Sequence, residues 1–131
     1  MIDIEAAFTA YVQCALWSSS DYPPGVDPED NPDAREVHLD AWDGEIADES
    51  LAEMRRELTD FCTQPRVIEL VELTGMDAGQ VGHDFWLTRN HHGAGFWDRG
   101  NGAAGDELSK LCHPYGESYL HIDENGSIYV S

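Results

Sequence analysis

His83, Asp84, Arg89, Asn90, His91, His92, Asp98 and Arg99 fall in one short stretch and would furnish a general base, an anion clamp and metal ligands. Their spacing restrains that reading. Adjacent histidines on an extended segment point to opposite faces, so His91 and His92 do not converge on one ion. No HExxH helix, paired CxxC, Walker loop or GxSxG elbow completes a metal site or a nucleophile. The sequence therefore implies no cofactor and no metal. A metal-assisted hydrolase centred on His83, Asp84, Asn90, His91 and His92 is kept as the alternative to a non-enzymatic role.

The other chemistry available to the chain is charge. Its 131 residues hold 26 Asp and Glu against 7 Lys and Arg, a formal net charge of -19. Fourteen of the acids lie between Asp21 and Asp60, beside only Arg35, Arg55 and Arg56. Like charges this dense repel within a Debye length of ~8 Å, so they spread over an outward face or hold a loop extended. DNA carries a negative charge per ~1.7 Å of its axis, which disfavours direct nucleic-acid binding, and with Lys110 as the one lysine there is no basic patch. The complementary partner is a positively charged nucleic-acid-binding protein, whose groove accepts carboxylates as phosphate surrogates. Asp30, Asp33, Glu36, Asp40, Asp43, Glu49, Glu53, Glu57 and Asp60 are the residues assigned that role. The bland alternative is an accessory domain whose acidity serves only solubility, as a saline habitat also selects.

The elements that must position these groups follow from periodicity. Ile4, Phe8, Tyr11, Val12 and Leu16 recur at helical spacing and predict a helix over residues 3 to 17. Residues 21 to 45 are acidic and Pro-rich, a loop with Val37, Leu39 and Trp42 as anchors. A second helix opens near Asp48 or Ser50, with Ser50 and Glu53 as a capping box and Leu51, Met54, Leu58 and Phe61 as its apolar stripe. Pro65 forces a restart, and Gly75 closes the next helix in the left-handed conformation, unless the two form one kinked helix. The run from His83 to Thr88, the turn residues from Arg89 to Gly93 and the return from Ala94 to Asp98 read as a β-hairpin, with Gly93 or Gly95 free to take positive φ. In that reading Phe85, Leu87, Phe96 and Trp97 or their neighbours fill the core face, Asp84, Arg89, Asp98 and Arg99 pair across strands, and Asn90 and His92 fix the turn. A helix over residues 103 to 113 and a closing hairpin around Asn125-Gly126 complete the chain. The sum is a single α+β domain over 1–131, with N-terminal helices followed by an antiparallel sheet of two hairpins and an intervening helix.

Four Trp, five Tyr and four Phe are too many for a disordered acidic chain. Cys14, Cys62 and Cys112 are widely separated and odd in number, which fits reduced core thiols. No run of about 18 apolar residues suggests a membrane span, and Asp3 and Glu5 stand where a secretory signal carries Lys or Arg. The expected location is the cytoplasm.

The run from Gly82 to Asn90, followed by His92 to Gly100, GHDFWLTRN-x-HGAGFWDRG, resembles the hallmark of an uncharacterised family of small acidic proteins from phage and plasmid genomes. Cys14 to Ser19, CALWSS, resembles that family's N-terminal signature, and Tyr119 with Asp123-Glu124-Asn125-Gly126 resembles its closing hairpin. His83, Asp84, Trp86, Arg89, Asn90, His92, Trp97, Asp98 and Arg99 are the hallmark positions marked as structural or recognition residues. The resemblance implies a mobile-element origin. Combined with the charge, it predicts a non-enzymatic inhibitor of host defence, a DNA mimic of the anti-CRISPR or antirestriction type.

Overall fold

The computed structural model describes residues 1–131 as five helices and two small antiparallel sheets, which is the α+β class. Helix α1 runs Ile4–Trp17, capped by the Asp3 carboxylate accepting from the Ala6 N–H. Two-residue strands β1 (Ser20–Asp21) and β2 (Val37–His38) then pair, and the acidic segment is the loop between them. Helix α2 is Asp48–Cys62, α3 is Pro65–Thr74, α4 is Ala78–Arg89 and α5 is Gly102–Cys112. Strands β3 (Leu120–Ile122) and β4 (Ile128–Val130) form the closing hairpin, in register Ile122 with Ile128.

Several local expectations hold. Pro65 opens α3 as a separate helix, and Gly75 ends it at φ 73. Gly126 takes φ 84 in the last turn, where Asp123 accepts hydrogen bonds from the Asn125 and Ser127 N–H groups. Leu39 is buried, and the Trp42 indole donates to the Gly126 carbonyl at 2.8 Å, so two of the loop's anchors are tied down. The capping box is different. Ala47 takes the N-cap position of α2 without a side-chain bond, and Ser50 is buried with its hydroxyl accepting from the Val130 N–H.

The main correction concerns the hallmark. Residues 83 to 89 are helical, and the first of the two expected hairpins does not form. The turn after α4 is a loop that leads into a short 3-10 turn at Phe96–Asp98. Val81, Asp84, Phe85, Trp86, Leu87, Thr88 and Arg89 are all buried, so α4 is enclosed on nearly every side. A helix buried nearly all round, with Asp84 and Arg89 among its buried residues, has no amphipathic signature, and its aromatic run resembles a buried strand. Positive φ falls on His91 (φ 54), while neither Gly93 nor Gly95 takes that conformation.

One apolar cluster of 23 buried residues unites all the helices and the closing hairpin. Its centre is aromatic: Phe61 stacks on Phe85 with centroids 4.6 Å apart, and Tyr11 meets Trp86 edge-on at 5.6 Å. Gly82 lets α4 lie directly on α1. A Cβ there would sit 1.9 Å from the Ala7 carbonyl oxygen, an atom of the facing backbone that cannot turn aside. Gly82→Ala is therefore expected to destabilise the protein by about 3 kcal/mol, at the upper end of overpacking costs, read as a lower urea midpoint.

Candidate functional site

The hallmark side chains are brought together, but mostly to hold the fold. The Arg89 guanidinium is 2 % exposed and donates to the Tyr11 hydroxyl at 3.0 Å, to both Glu57 carboxylate oxygens, and to the Tyr115 and Gly116 carbonyls. Every donor direction of a buried arginine is used. Burial pushes the Tyr11 phenol up against the opposing pull of Arg89, so it remains a neutral hydroxyl.

Asp84 is wholly buried and accepts from Arg99 (2.8 Å) and from the Gln80 amide (2.9 Å). Thr88 accepts from the Phe96 N–H, and Asp98 accepts from the Gly95 N–H, which closes the loop after α4. Asn90 donates to the Trp86 carbonyl and accepts from the Ser118 N–H, joining α4 to the approach of β3. The buried Trp86 indole donates to the Ser18 hydroxyl, which itself donates to the Cys14 carbonyl. Cross-strand pairing was expected for Asp84, Arg89, Asp98 and Arg99; instead the partners lie on other helices and in loops. Trp97, expected in the core, is half exposed.

The proposed hydrolase centre is dispersed. His83 faces a shallow recess beside Gln13 and Trp17, Asp84 is buried under Arg99, and His91 lies against His113 with ring centroids 5.2 Å apart. His92 instead borders a polar cleft of about 410 Å³ whose other walls include Ser19, Asp21, Glu36, Asn90 and His121. Residues from the CALWSS segment, the hallmark and the closing hairpin thus converge on one opening. No group of three or more His, Cys, Asp or Glu is arranged to hold a metal ion.

The carboxylates assigned to a partner divide into two kinds. Asp30, Asp33, Asp40, Asp43 and Glu49 are exposed and have no ion-pair partner. Glu53 lies 3.6 Å from Arg56 on the surface, and Glu36 accepts from the Ser20 hydroxyl at 2.7 Å. Asp60 accepts from the Tyr115 hydroxyl at 2.5 Å. Glu57 turns inward onto Arg89, so it is part of the core's polar framework and not a free phosphate surrogate. Glu49, Glu53 and Asp60 follow one another along the outer face of α2, as the helical repeat requires.

Five of the seven bases are consumed by carboxylates of the same chain: Arg55 by Glu5, Arg56 by Glu53, Arg66 by Glu69 and Glu107, Arg89 by Glu57, and Arg99 by Asp84 and Asp98. Arg35 donates only to the Asp33 and Ala34 carbonyls. Within residues 27 to 60, Arg35 is therefore the one cation without a carboxylate partner.

A second cleft, apolar and about 340 Å³, opens inside that acidic region. Leu39, Ile46 and Ile128 are its buried floor. Val12 and Leu16 of α1, Trp42, and Leu51 of α2 form half-buried walls. Asp40, Glu45 and Asp48 stand exposed around it. Helical periodicity placed Leu16 and Leu51 on apolar stripes, and Leu39 and Trp42 were read as loop anchors; what the sequence could not show is that together they leave an opening.

No helix is long and apolar enough to cross a membrane. No family model, curated protein or solved structure matches the chain.

Two outcomes follow. Removing the charge of Glu57 strands a buried guanidinium, so Glu57→Gln should cost about 3 kcal/mol, the low end for a broken buried pair because Glu57 keeps some solvent contact; urea titration checks it, and an unchanged midpoint would show the pair to be dispensable. The three cysteines are buried and unpaired, and burial pushes each thiol up to about 12. They should resist iodoacetamide at pH 8 in the native protein and react fully in denaturant, as intact-mass spectrometry would count.

Proposed function

We propose that the chain is a non-enzymatic acidic inhibitor of mobile-element origin, acting in the host cytoplasm as a DNA mimic that occupies the cationic groove of a defence nuclease or CRISPR effector subunit. The observation that carries this reading is the asymmetry of its charges. Five of the seven bases are paired with carboxylates of the same chain, while Asp30, Asp33, Asp40, Asp43 and Glu49 stand outward and unpaired. A partner rich in Lys and Arg gains steering from such a field, and both sides release counterions on contact.

The hallmark supports the same reading indirectly. Its buried polar groups are engaged with one another, with backbone, or with Tyr11, Ser18, Glu57 and Gln80 of the same chain, which leaves its largest contribution to the fold. The competing reading, acidity for solubility alone, draws on Glu69, Glu72, Asp77, Asp106 and Glu117, which are exposed on other elements.

One triple variant separates the two. Asp40→Lys, Glu49→Lys and Glu53→Lys together avoid Glu57 and Asp60, whose carboxylates hold internal bonds. In gel-shift assays with a panel of restriction enzymes and CRISPR effector complexes, the native chain should relieve DNA binding by one of them. The triple variant should do so at least about tenfold less well while melting within a few degrees of the native chain, and relief should weaken as salt rises. Undiminished relief by the triple variant, or no relief of any member of the panel, would defeat the mimic.

A further inference from the structure

We propose that the apolar cleft between α1, α2 and β4 is a socket for one apolar side chain of a cationic segment, an anchor residue flanked by Lys or Arg on the partner protein. This deepens the acidic-inhibitor reading and rests on it for the partner's charge. The observation is the combination of the two chemistries at one place. The floor is as buried as any core, with Leu39 and Ile128 each 1 % exposed, yet the cleft above it is open. Its rim carries Asp40, Glu45 and Asp48, no Lys or Arg lines it, and none of the three carboxylates has an ion-pair partner in the chain.

Charge complementarity selects the occupant. A neutral apolar ligand would leave the three rim carboxylates without partners while shielding them from water, which opposes binding. A strand of nucleic acid is repelled by the same groups. A purely polar cation would leave the apolar floor wet. A segment with one Leu, Met or Phe between basic residues satisfies both, because the apolar side chain displaces water from the floor while its neighbours meet Asp40, Glu45 and Asp48 at the rim. Protein interfaces concentrate their binding energy in such desolvated pockets ringed by polar contacts. A volume of about 340 Å³ is near the small end of ligand sites, of order 300 to 1,000 Å³, and suits one or two side chains better than a long groove-filling helix.

One wall of the socket, Trp42, comes from the segment between β2 and α2. Trp42 is fixed by its bond to the Gly126 carbonyl, and the Ala47 N–H donates to the Ile128 carbonyl at 2.8 Å, so the loop's end is stitched to the closing hairpin. A prearranged wall spares the binding event the entropy of ordering it.

The test uses the full chain and three short synthetic peptides. The first carries a single Phe among lysines, the second replaces that Phe by Ser at equal charge, and the third replaces the lysines by Gln. The first should shift the NMR amide signals of Leu16, Leu39, Leu51 and Ile128 and bind about tenfold more tightly than either of the others. Leu51→Gln and Val12→Gln, on the α2 and α1 walls, should each erase that tenfold preference while leaving affinity for the Ser-substituted peptide unchanged, which also certifies that the variants are folded. Equal binding of the two lysine peptides without movement of the cleft signals would overturn the socket and leave the acidic inhibitor standing. Equal binding of the Gln-substituted peptide would overturn the cationic partner. A preference that survives in both variants would place the anchor elsewhere and overturn the assignment.

Discussion

The guanidinium of Arg89 is the constraint on which the rest of this structure depends. It sits 2 % exposed at the end of an enclosed helix, and a charge so placed persists only if every donor is met. The chain meets them from four places at once: Tyr11 on α1, Glu57 on α2, and the Tyr115 and Gly116 carbonyls that follow α5. Those contacts fix the mutual positions of three helices and the approach to the closing hairpin. Asp84 performs the inverse task one turn earlier, a buried carboxylate met by Arg99 and Gln80. Two opposite buried charges on one helix, each with an external partner, specify its rotation as well as its depth.

This explains what could and could not be read from residues alone. Helices α1, α2, α3 and α5 have one wet face, so the period of their apolar residues shows directly. Helix α4 has none, and period fails where burial is complete. The aromatic run Phe85-Trp86-Leu87 then reads as a strand, although Gly82 at its head is better explained by two helices in backbone contact. Strands β1 and β2, two residues each, lie beneath any periodic signal. The closing hairpin was legible because Asn125-Gly126 carries its own turn chemistry.

The candidate site was legible in the same uneven way. Density of acids along the chain marked the region correctly as one with outward carboxylates, since Asp30, Asp33, Asp40, Asp43 and Glu49 are exposed. It could not tell Glu57 from its neighbours. The signal was present in the spacing, because position 57 is three residues after Met54 and four before Phe61, on the flank of the buried stripe. A carboxylate on that flank must find a cation or solvent, and the only buried cation of the chain is Arg89. The two clefts were out of reach, since each is assembled from segments far apart in sequence.

An acidic surface and a compact body oppose one another, and the structure shows how the conflict is handled. The excess carboxylates are kept off the core: of the acids, only Asp84 is buried, and it is paired. The loop from Tyr22 to Glu36 carries its charges without a sheet or helix, yet its backbone is held by local bonds in which Asp27 accepts from the Glu29 N–H and Asn31 accepts from the Asp33 N–H. Its two ends are clamped by the β1 and β2 pair, and the Asp21 carboxylate accepts from the Ile122 N–H of the closing hairpin. Repulsion among the loop's acids therefore acts on a segment whose two ends are tied to the fold. The chain spends its few bases on the interior and on helix surfaces, and what remains is a held array of unneutralised charge. A surface arranged that way costs folding energy at low salt, and screening by added salt relieves that cost.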